Sequence, residues 1–138
     1  MSIPSGLLKE LDRIVEALDV PSRSKAISEA IAEYIGDRAW LLEGGEDYEV
    51  VGSVTILYRH EETSERIIEI QHRFIEIIRS TSHVHLDVGR CLEVTIVAGP
   101  VSKARELVKT LHSIRGVEAI RASVFPVGRA GEHGYPHG

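Results

Sequence analysis

The chain has 138 residues, a length that favours one domain with room for a small N-terminal module. Its composition, 43% hydrophobic and 27% charged, is that of a soluble globular protein, and no apolar run approaches the roughly 18 residues that span a bilayer. The formal net charge of −5 argues against binding nucleic acid by bulk electrostatics, so any contact with DNA would have to be local.

The first part of the chain predicts two short amphipathic helices. Apolar residues recur at helical spacing over residues 5–18, and a second helix is predicted from residue 22 or 24 to Arg38. Two helices this short cannot bury their apolar stripes alone, so we expect this module, residues 1–45, to dimerise. The pair Gly44-Gly45 predicts a linker to the rest of the chain.

The remaining elements follow the order βαββαβ. We predict a strand over 49–59, a helix over 61–79, a hairpin over 81–88 and 90–98, a helix over 101–114 and a strand over 117–127. This order predicts an α+β, ferredoxin-like fold for residues 46–127, with two helices on one face of a four-stranded antiparallel sheet. The glycine-rich residues 128–138 are predicted to form a disordered tail.

The hairpin holds the residues that could carry chemistry. His83 and His85 fall on one face of its first strand. If the three-residue loop Asp87-Val88-Gly89 closes the hairpin, His85 lies opposite Cys91 and His83 lies opposite Glu93. Two imidazoles and a thiol on one face can converge on a single metal ion at roughly 2.0–2.3 Å.

A fourth ligand is available on the long helix. His72 lies just outside the edge of the apolar stripe, so we expect it to point away from its own sheet and to complete a site shared between two chains. Three nitrogens and one sulfur suit zinc if the geometry is tetrahedral, and nickel(II) or copper(II) if it is planar. The alternative is that His83 and His85 are solvated strand residues and Cys91 is a small buried hydrophobe.

The spacing of these four residues, within the text QHRFIEIIRSTSHVHLDVGRCLEV, resembles that of the nickel-responsive transcriptional regulator family. The resemblance covers roughly residues 2–127. It implies that the three histidines and the cysteine bind one nickel(II) ion in a plane, and that His72 comes from a neighbouring subunit.

Other polar residues close to these ligands have candidate roles. Glu93, two residues after the cysteine as in the family, can accept a hydrogen bond from the second ring nitrogen of a ligand histidine and so fix its tautomer and orientation. Gln71 either helps in the same way or is an exposed helix residue. His60 and His112 are expected to be solvated surface histidines, and His60, next to Glu61 and Glu62 at the end of a predicted strand, is the better candidate for a secondary metal site.

The resemblance also implies that the N-terminal module is a ribbon-helix-helix unit, whose strand pairs with its twin and enters the DNA major groove. Most of that strand is absent here, and only Ser2 corresponds to the base-reading side chains. The second helix begins at Arg23-Ser24, where its first amides can hold a backbone phosphate. Residues 1–45 carry five basic and eight acidic side chains, so metal sensing is better supported than DNA reading.

The implied function is a nickel-responsive, DNA-binding repressor of nickel uptake genes, which acts as a homotetramer built as a dimer of dimers. The alternative is a metal-binding oligomer of the same fold that has lost sequence-specific DNA binding. An enzyme with an open coordination position is less well supported because four protein ligands would fill a planar nickel site and no acid–base pair or phosphate loop occurs. The inward-pointing histidines argue against a domain whose main role is to bind a small molecule. A single cysteine and no signal peptide predict a cytoplasmic protein.

Overall fold

The computed structural model describes residues 2–42, 44–87 and 89–129. The helices in these ranges are α1 Ser5–Ala17, α2 Arg23–Ala39, α3 His60–Arg73 and α4 Val101–His112. The strands are β1 Tyr48–Arg59, β2 Ile78–Asp87, β3 Arg90–Pro100 and β4 Val117–Arg129. Two compact units divide the chain, Met1–Ala39 and Trp40–Gly138. Within the described ranges, no helix has both the length and the apolar character that crossing a membrane requires.

The first unit contains α1 and α2, and none of its described residues, 2–39, is buried. Neither helix contains a buried residue, and large apolar side chains such as Leu7 and Tyr34 are 63% and 62% exposed. The start of α2 is capped by Ser22, whose hydroxyl oxygen accepts the Lys25 N–H at 3.1 Å. The apolar faces of both helices therefore lie open to a partner.

The second unit is a four-stranded antiparallel sheet of order β2-β3-β1-β4, with α3 and α4 as its helices. The α+β, ferredoxin-like prediction is confirmed. Alternate residues of the strands pack with the two helices into one core. Its buried members include Val54, Ile56 and Tyr58 of β1, Ile67 of α3 and Leu107 of α4.

Helix α3 is shorter than predicted. It ends at Arg73 instead of residue 79, and β2 already begins at Ile78. The Ile77 carbonyl accepts the Ala98 N–H at 2.8 Å, and Ile78 pairs with Val97. Pairing with β3 therefore replaces further helical hydrogen bonds, while Ile77 stays buried as its apolar character requires.

The last strand is longer than predicted. Gly128 and Arg129 belong to β4, where they pair with Glu49 and Tyr48 of β1. The prediction of a disordered tail is therefore wrong for these two residues, because the sheet gives their backbone a hydrogen-bonding partner. Residues 130–138, the rest of the predicted tail, lie outside the described residues.

The hairpin register agrees with the prediction at the positions that matter for the site. His85 pairs with Cys91 and His83 with Glu93. The loop is shorter than the predicted three residues because Asp87 pairs with Arg90. The register of the two strands shifts between His85 and Asp87, so the pairing of His85 with Cys91 is kept.

Candidate metal centre

Two of the predicted ligands, His85 and Cys91, come together on the β2–β3 hairpin, and a third, His83, packs against His85. Among the described residues, His83 does not belong to the group whose donor atoms all lie within 4.8 Å of one another. Cys91 is 0% exposed, and its Sγ atom lies 3.2 Å from Nδ1 of His85. The His83 and His85 rings meet edge to face, with their centroids 4.8 Å apart. Both imidazoles are exposed because β2 is an edge strand. The site thus has a buried sulfur and two imidazoles that are open to an approaching partner.

The fourth predicted ligand, His72, is not brought to this cluster within the chain. It lies exposed in the last turn of α3. Two large apolar side chains flank it in sequence, Ile68 at 54% exposure and Ile75 at 63%. An exposed histidine with apolar neighbours has the character of a contact surface.

A different histidine takes a place beside the thiol. Among the described residues, the ligand atoms of His60, His85 and Cys91 all lie within 4.8 Å of one another. Nδ1 of His60 is 3.5 Å from Sγ of Cys91, and the His60 and His85 ring centroids are 5.2 Å apart. The His60 N–H donates to the Gly89 carbonyl at 2.7 Å, which fixes the backbone of His60 beside the hairpin turn.

Glu93 is a buried carboxylate with an unpartnered oxygen. The residue is 7% exposed, and among the described residues Oε2 has no hydrogen-bond partner. A cavity of about 10 Å³ lies against it and is also lined by Gln71 and Ile67. Leaving such an oxygen unpaired is costly, so this position favours a nearby N–H group. A metal-bound imidazole offers one on its second nitrogen, and the donor set therefore fits a histidine-rich metal site.

Tyr58 is a further member of the site that sequence reasoning missed. It pairs with Cys91 across β1 and β3 and is buried. Burial, the charges of Glu93 and Cys91, and a hydrogen bond to Cys91 raise the pKa of Tyr58 to about 12. The phenol therefore remains a proton donor beside the sulfur at neutral pH. The alternation of β1 places Tyr58 on the buried face, but only the pairing of β1 with β3 brings it to Cys91.

The predicted DNA contacts lie in the first unit. Arg23 forms a salt bridge there, in which its Nε and Nη2 atoms donate to the Asp12 carboxylate at 2.8 and 2.6 Å. The hydrogen bond from Arg23 lowers the pKa of Asp12, so the pair stays ionised. Ser24 follows in the first turn of α2, and Ser2 is exposed before α1. Residues 2–4 form no strand within the chain.

The chain is similar to known proteins along most of its length. Residues 51–125 match the family described as "NikR C terminal nickel binding domain". A "Putative nickel-responsive regulator" of Methanocaldococcus jannaschii is 40% identical over 132 residues, which cover 93% of this chain and 91% of that protein. Relatives of the same description are 36% identical over 131 residues in Thermococcus onnurineus (94% and 93% coverage) and 38% identical over 120 residues in Pyrococcus abyssi (86% and 85% coverage). The chain therefore belongs to the nickel-responsive regulator family.

Proposed function

We propose that this chain is a nickel-responsive transcriptional regulator that binds nickel(II) between two copies of itself. Three ligands come from one hairpin, namely His83, His85 and Cys91, hereafter the hairpin ligands. The fourth is His72 of a neighbouring chain. The proposal is supported above all by the β2–β3 register, in which His85 pairs with Cys91 and His83 pairs with Glu93, whose Oε2 has no hydrogen-bond partner among the described residues.

The exposure of the ligands supports a shared site. The two hairpin imidazoles lie on an edge strand, and His72 points outward between the exposed Ile68 and Ile75. Burying these two isoleucines against a second chain would stabilise the contact that brings His72 to the hairpin. Bound in a plane by nitrogen and sulfur donors, nickel(II) would supply a rigid link between the chains.

Glu93 and Gln71 support the ligands from the protein side. Glu93 lies opposite His83, so its free oxygen can accept the N–H of the second ring nitrogen and fix the orientation of that imidazole. Gln71 lines the same cavity and immediately precedes His72. A hydrogen bond between Gln71 and Glu93, direct or through one water, would couple α3 to the hairpin.

Two separate apolar surfaces are exposed in the described part of the chain, and together they favour a tetramer. One is the apolar face of α1 and α2. The other is the face of the sheet opposite the helices, where the exposed apolar side chains are Val51, Val84, Leu86, Ile96 and Phe125. If each surface pairs with its own copy, two different two-fold interfaces result, and these generate a dimer of dimers.

The DNA-binding role falls to residues 1–45. At the start of α2, the amides of Arg23 and Ser24 can bind a backbone phosphate, and Ser2 precedes α1 in the position of a base-reading side chain. The proposed site forms in those arrangements of the assembly that bring His72 of one chain to the hairpin of another. Metal binding would favour those arrangements by differential affinity, and the DNA-bound form would repress nickel uptake genes.

A mixing experiment tests the shared site. Neither His72→Ala nor Cys91→Ala should bind nickel tightly alone, because each removes a ligand from every site. Co-expressed chains of the two variants should regain one intact site in each mixed pair, since one chain supplies His72 and the other a complete hairpin. Nickel titration of the purified mixture measures this recovery, and mixtures that bind no more than the separate variants would contradict sharing.

A second candidate function is a metal-binding oligomer that does not read DNA. The Asp12–Arg23 pair favours it, together with the excess of acidic over basic side chains in residues 1–45. Binding of the full chain to DNA, measured with and without nickel at two salt concentrations, separates the candidates. Nickel-dependent preference for one sequence supports the regulator, whereas equal binding of all sequences supports the oligomer.

A further inference from the structure

We propose that Trp40 and Arg105 fix the end of α2 to the second unit, so that any movement of the first unit pivots at the junction between Ala39 and Trp40. The competing position for a pivot is the pair Gly44-Gly45, whose φ angles of 121° and 75° lie in the region that favours glycine. The role of the junction in regulation rests on the proposed function, but the attachment itself does not.

The side chain of Trp40 belongs to the core of the second unit. It is 6% exposed and is part of the same buried cluster as Val50 of β1 and Val101 of α4. A tryptophan buries a large apolar area, so releasing this side chain into water would be costly. α2 ends at Ala39, and the division between the two units falls at the same place. The helix is therefore followed at once by a buried anchor.

Helix α4 holds both ends of the segment that begins at Trp40 and ends at Asp47. Nε of Arg105 donates to the Trp40 carbonyl at 3.1 Å. The N–H and the hydroxyl of Ser102 donate to the Asp47 carboxylate at 3.1 and 2.5 Å. Burial raises the pKa of Asp47, but hydrogen bonds, above all from Ser102, and the charge of Arg105 hold it below its ordinary value of 3.8. Because residues three apart share a helix face, one face of α4 binds both ends of the segment.

Gly44 and Gly45 therefore lie between two fixed ends. Rotation about these glycines would change the path of the chain between the two ends and leave the end of α2 in place. Movement of the first unit requires either rotation of the backbone between Ala39 and Trp40 or release of Trp40 from the core. The rotation disturbs only the last turn of α2, where helices fray readily, whereas the release exposes a buried indole. A rearrangement of the second unit around nickel would thus be transmitted to α2 through Trp40.

Two insertions of Gly-Ser into the full chain test the position of the pivot. One is placed between Ala39 and Trp40, and the other between Gly44 and Gly45. The first should abolish the nickel-dependent gain in DNA affinity, a gain of about 5- to 150-fold in typical coupled systems, and the second should keep it. Both should bind nickel as tightly as the wild type, since neither changes a proposed ligand. Equal effects of the two insertions, or a larger effect of the second, would overturn the inference.

Tryptophan fluorescence tests the attachment without reference to DNA, because Trp40 is the only tryptophan of the chain. Acrylamide should quench the wild type weakly, with and without nickel, and should quench Arg105→Ala more strongly, since that variant loses the hydrogen bond to the Trp40 carbonyl. Lys103→Ala removes the same charge from an exposed site on α4 and is the matched control. It should be quenched as weakly as the wild type.

Two results of the quenching experiment would overturn the inference. One is strong quenching of the wild type, whether before or after nickel is added, because it would place the indole of Trp40 in water. The other is equal quenching of Arg105→Ala and Lys103→Ala. A wild type that shows no nickel-dependent DNA binding would count against the proposed function instead, and the quenching would still decide whether Trp40 is fixed.

Discussion

Nδ1 of His85 lies 3.2 Å from Sγ of Cys91, across a cross-strand pair that joins β2 to β3. The sulfur is buried and the imidazole is exposed, so the pair links the core of the sheet to its open edge. Both residues belong to the proposed nickel site. Changes at this pair should therefore affect every metal that the hairpin binds.

Cys91→Ala should abolish the sulfur-to-nickel charge-transfer absorption that appears when the wild-type chain is titrated with nickel(II). The change removes the thiolate donor and leaves the imidazoles in place. Ultraviolet–visible titration measures the band, and circular dichroism confirms that the variant is folded. An unchanged spectrum would remove Cys91 from the site.

Glu93→Leu should have opposite effects on metal binding and on stability. It removes a buried carboxylate oxygen that has no partner among the described residues, so the metal-free protein should gain about 1 kcal/mol in its free energy of unfolding. It also removes the acceptor proposed for His83, so nickel affinity should fall by about 10- to 100-fold. Denaturant unfolding and nickel titration check the two effects separately. Loss of stability in the metal-free protein would show that Glu93 already has a good partner.

Asp47 caps α4 from a distant part of the chain. The helix begins after Pro100, which offers no side-chain cap, and Asp47 instead accepts the backbone N–H of Ser102 at 3.1 Å and its hydroxyl at 2.5 Å. Asp47→Ala should lower the free energy of unfolding by about 1 kcal/mol, a typical effect of losing a helix cap. Glu46→Ala, which removes the neighbouring exposed carboxylate, is the control and should have little effect.

The contribution of Asp47 to the free energy of unfolding should also depend on pH. Burial raises the pKa of Asp47, but hydrogen bonds from Ser102 and Tyr48 outweigh it, and the net pKa lies below the ordinary value of 3.8. A lowered pKa in the folded state stabilises the protein above pH 3.8, and this stabilisation is lost as the pH falls through the folded pKa. The stability difference between wild type and Asp47→Ala should therefore be full at neutral pH and shrink in acid. A difference that stays constant down to pH 2 would contradict the cap.

Asp12→Ala should strengthen DNA binding. The carboxylate now holds both Nε and Nη2 of Arg23, so its removal frees a guanidinium at the start of α2 for a phosphate. We expect a higher affinity and a salt dependence steeper by about one unit in log–log slope. Glu16→Ala removes the same charge from an exposed site on α1 and controls for the change in net charge. Equal gains in the two variants would show that Arg23 makes no specific contact.

The alternation of apolar residues and the turn at Gly89 were enough to predict the hairpin, with His85 opposite Cys91. Both are local signals, because strand period and turn geometry act over a few residues. The same local reasoning extended α3 too far. Ile75, Ile77 and Ile78 have apolar side chains that fit a buried helix face or a strand, and the hydrogen bond from the Ala98 N–H to the Ile77 carbonyl, together with the pairing of Ile78 with Val97, favours the strand.

Two features were decided by tertiary structure alone. His60 reaches Cys91, 31 positions away along the chain, because β1 pairs with β3. Asp47 caps α4 because the sheet brings the start of β1 beside Ser102. The sequence by itself determined which donor side chains share the hairpin face, since that follows from the period of a strand. The strand pairing between distant segments decided which other residues join them. The spacing of residues along the chain does not predict that pairing.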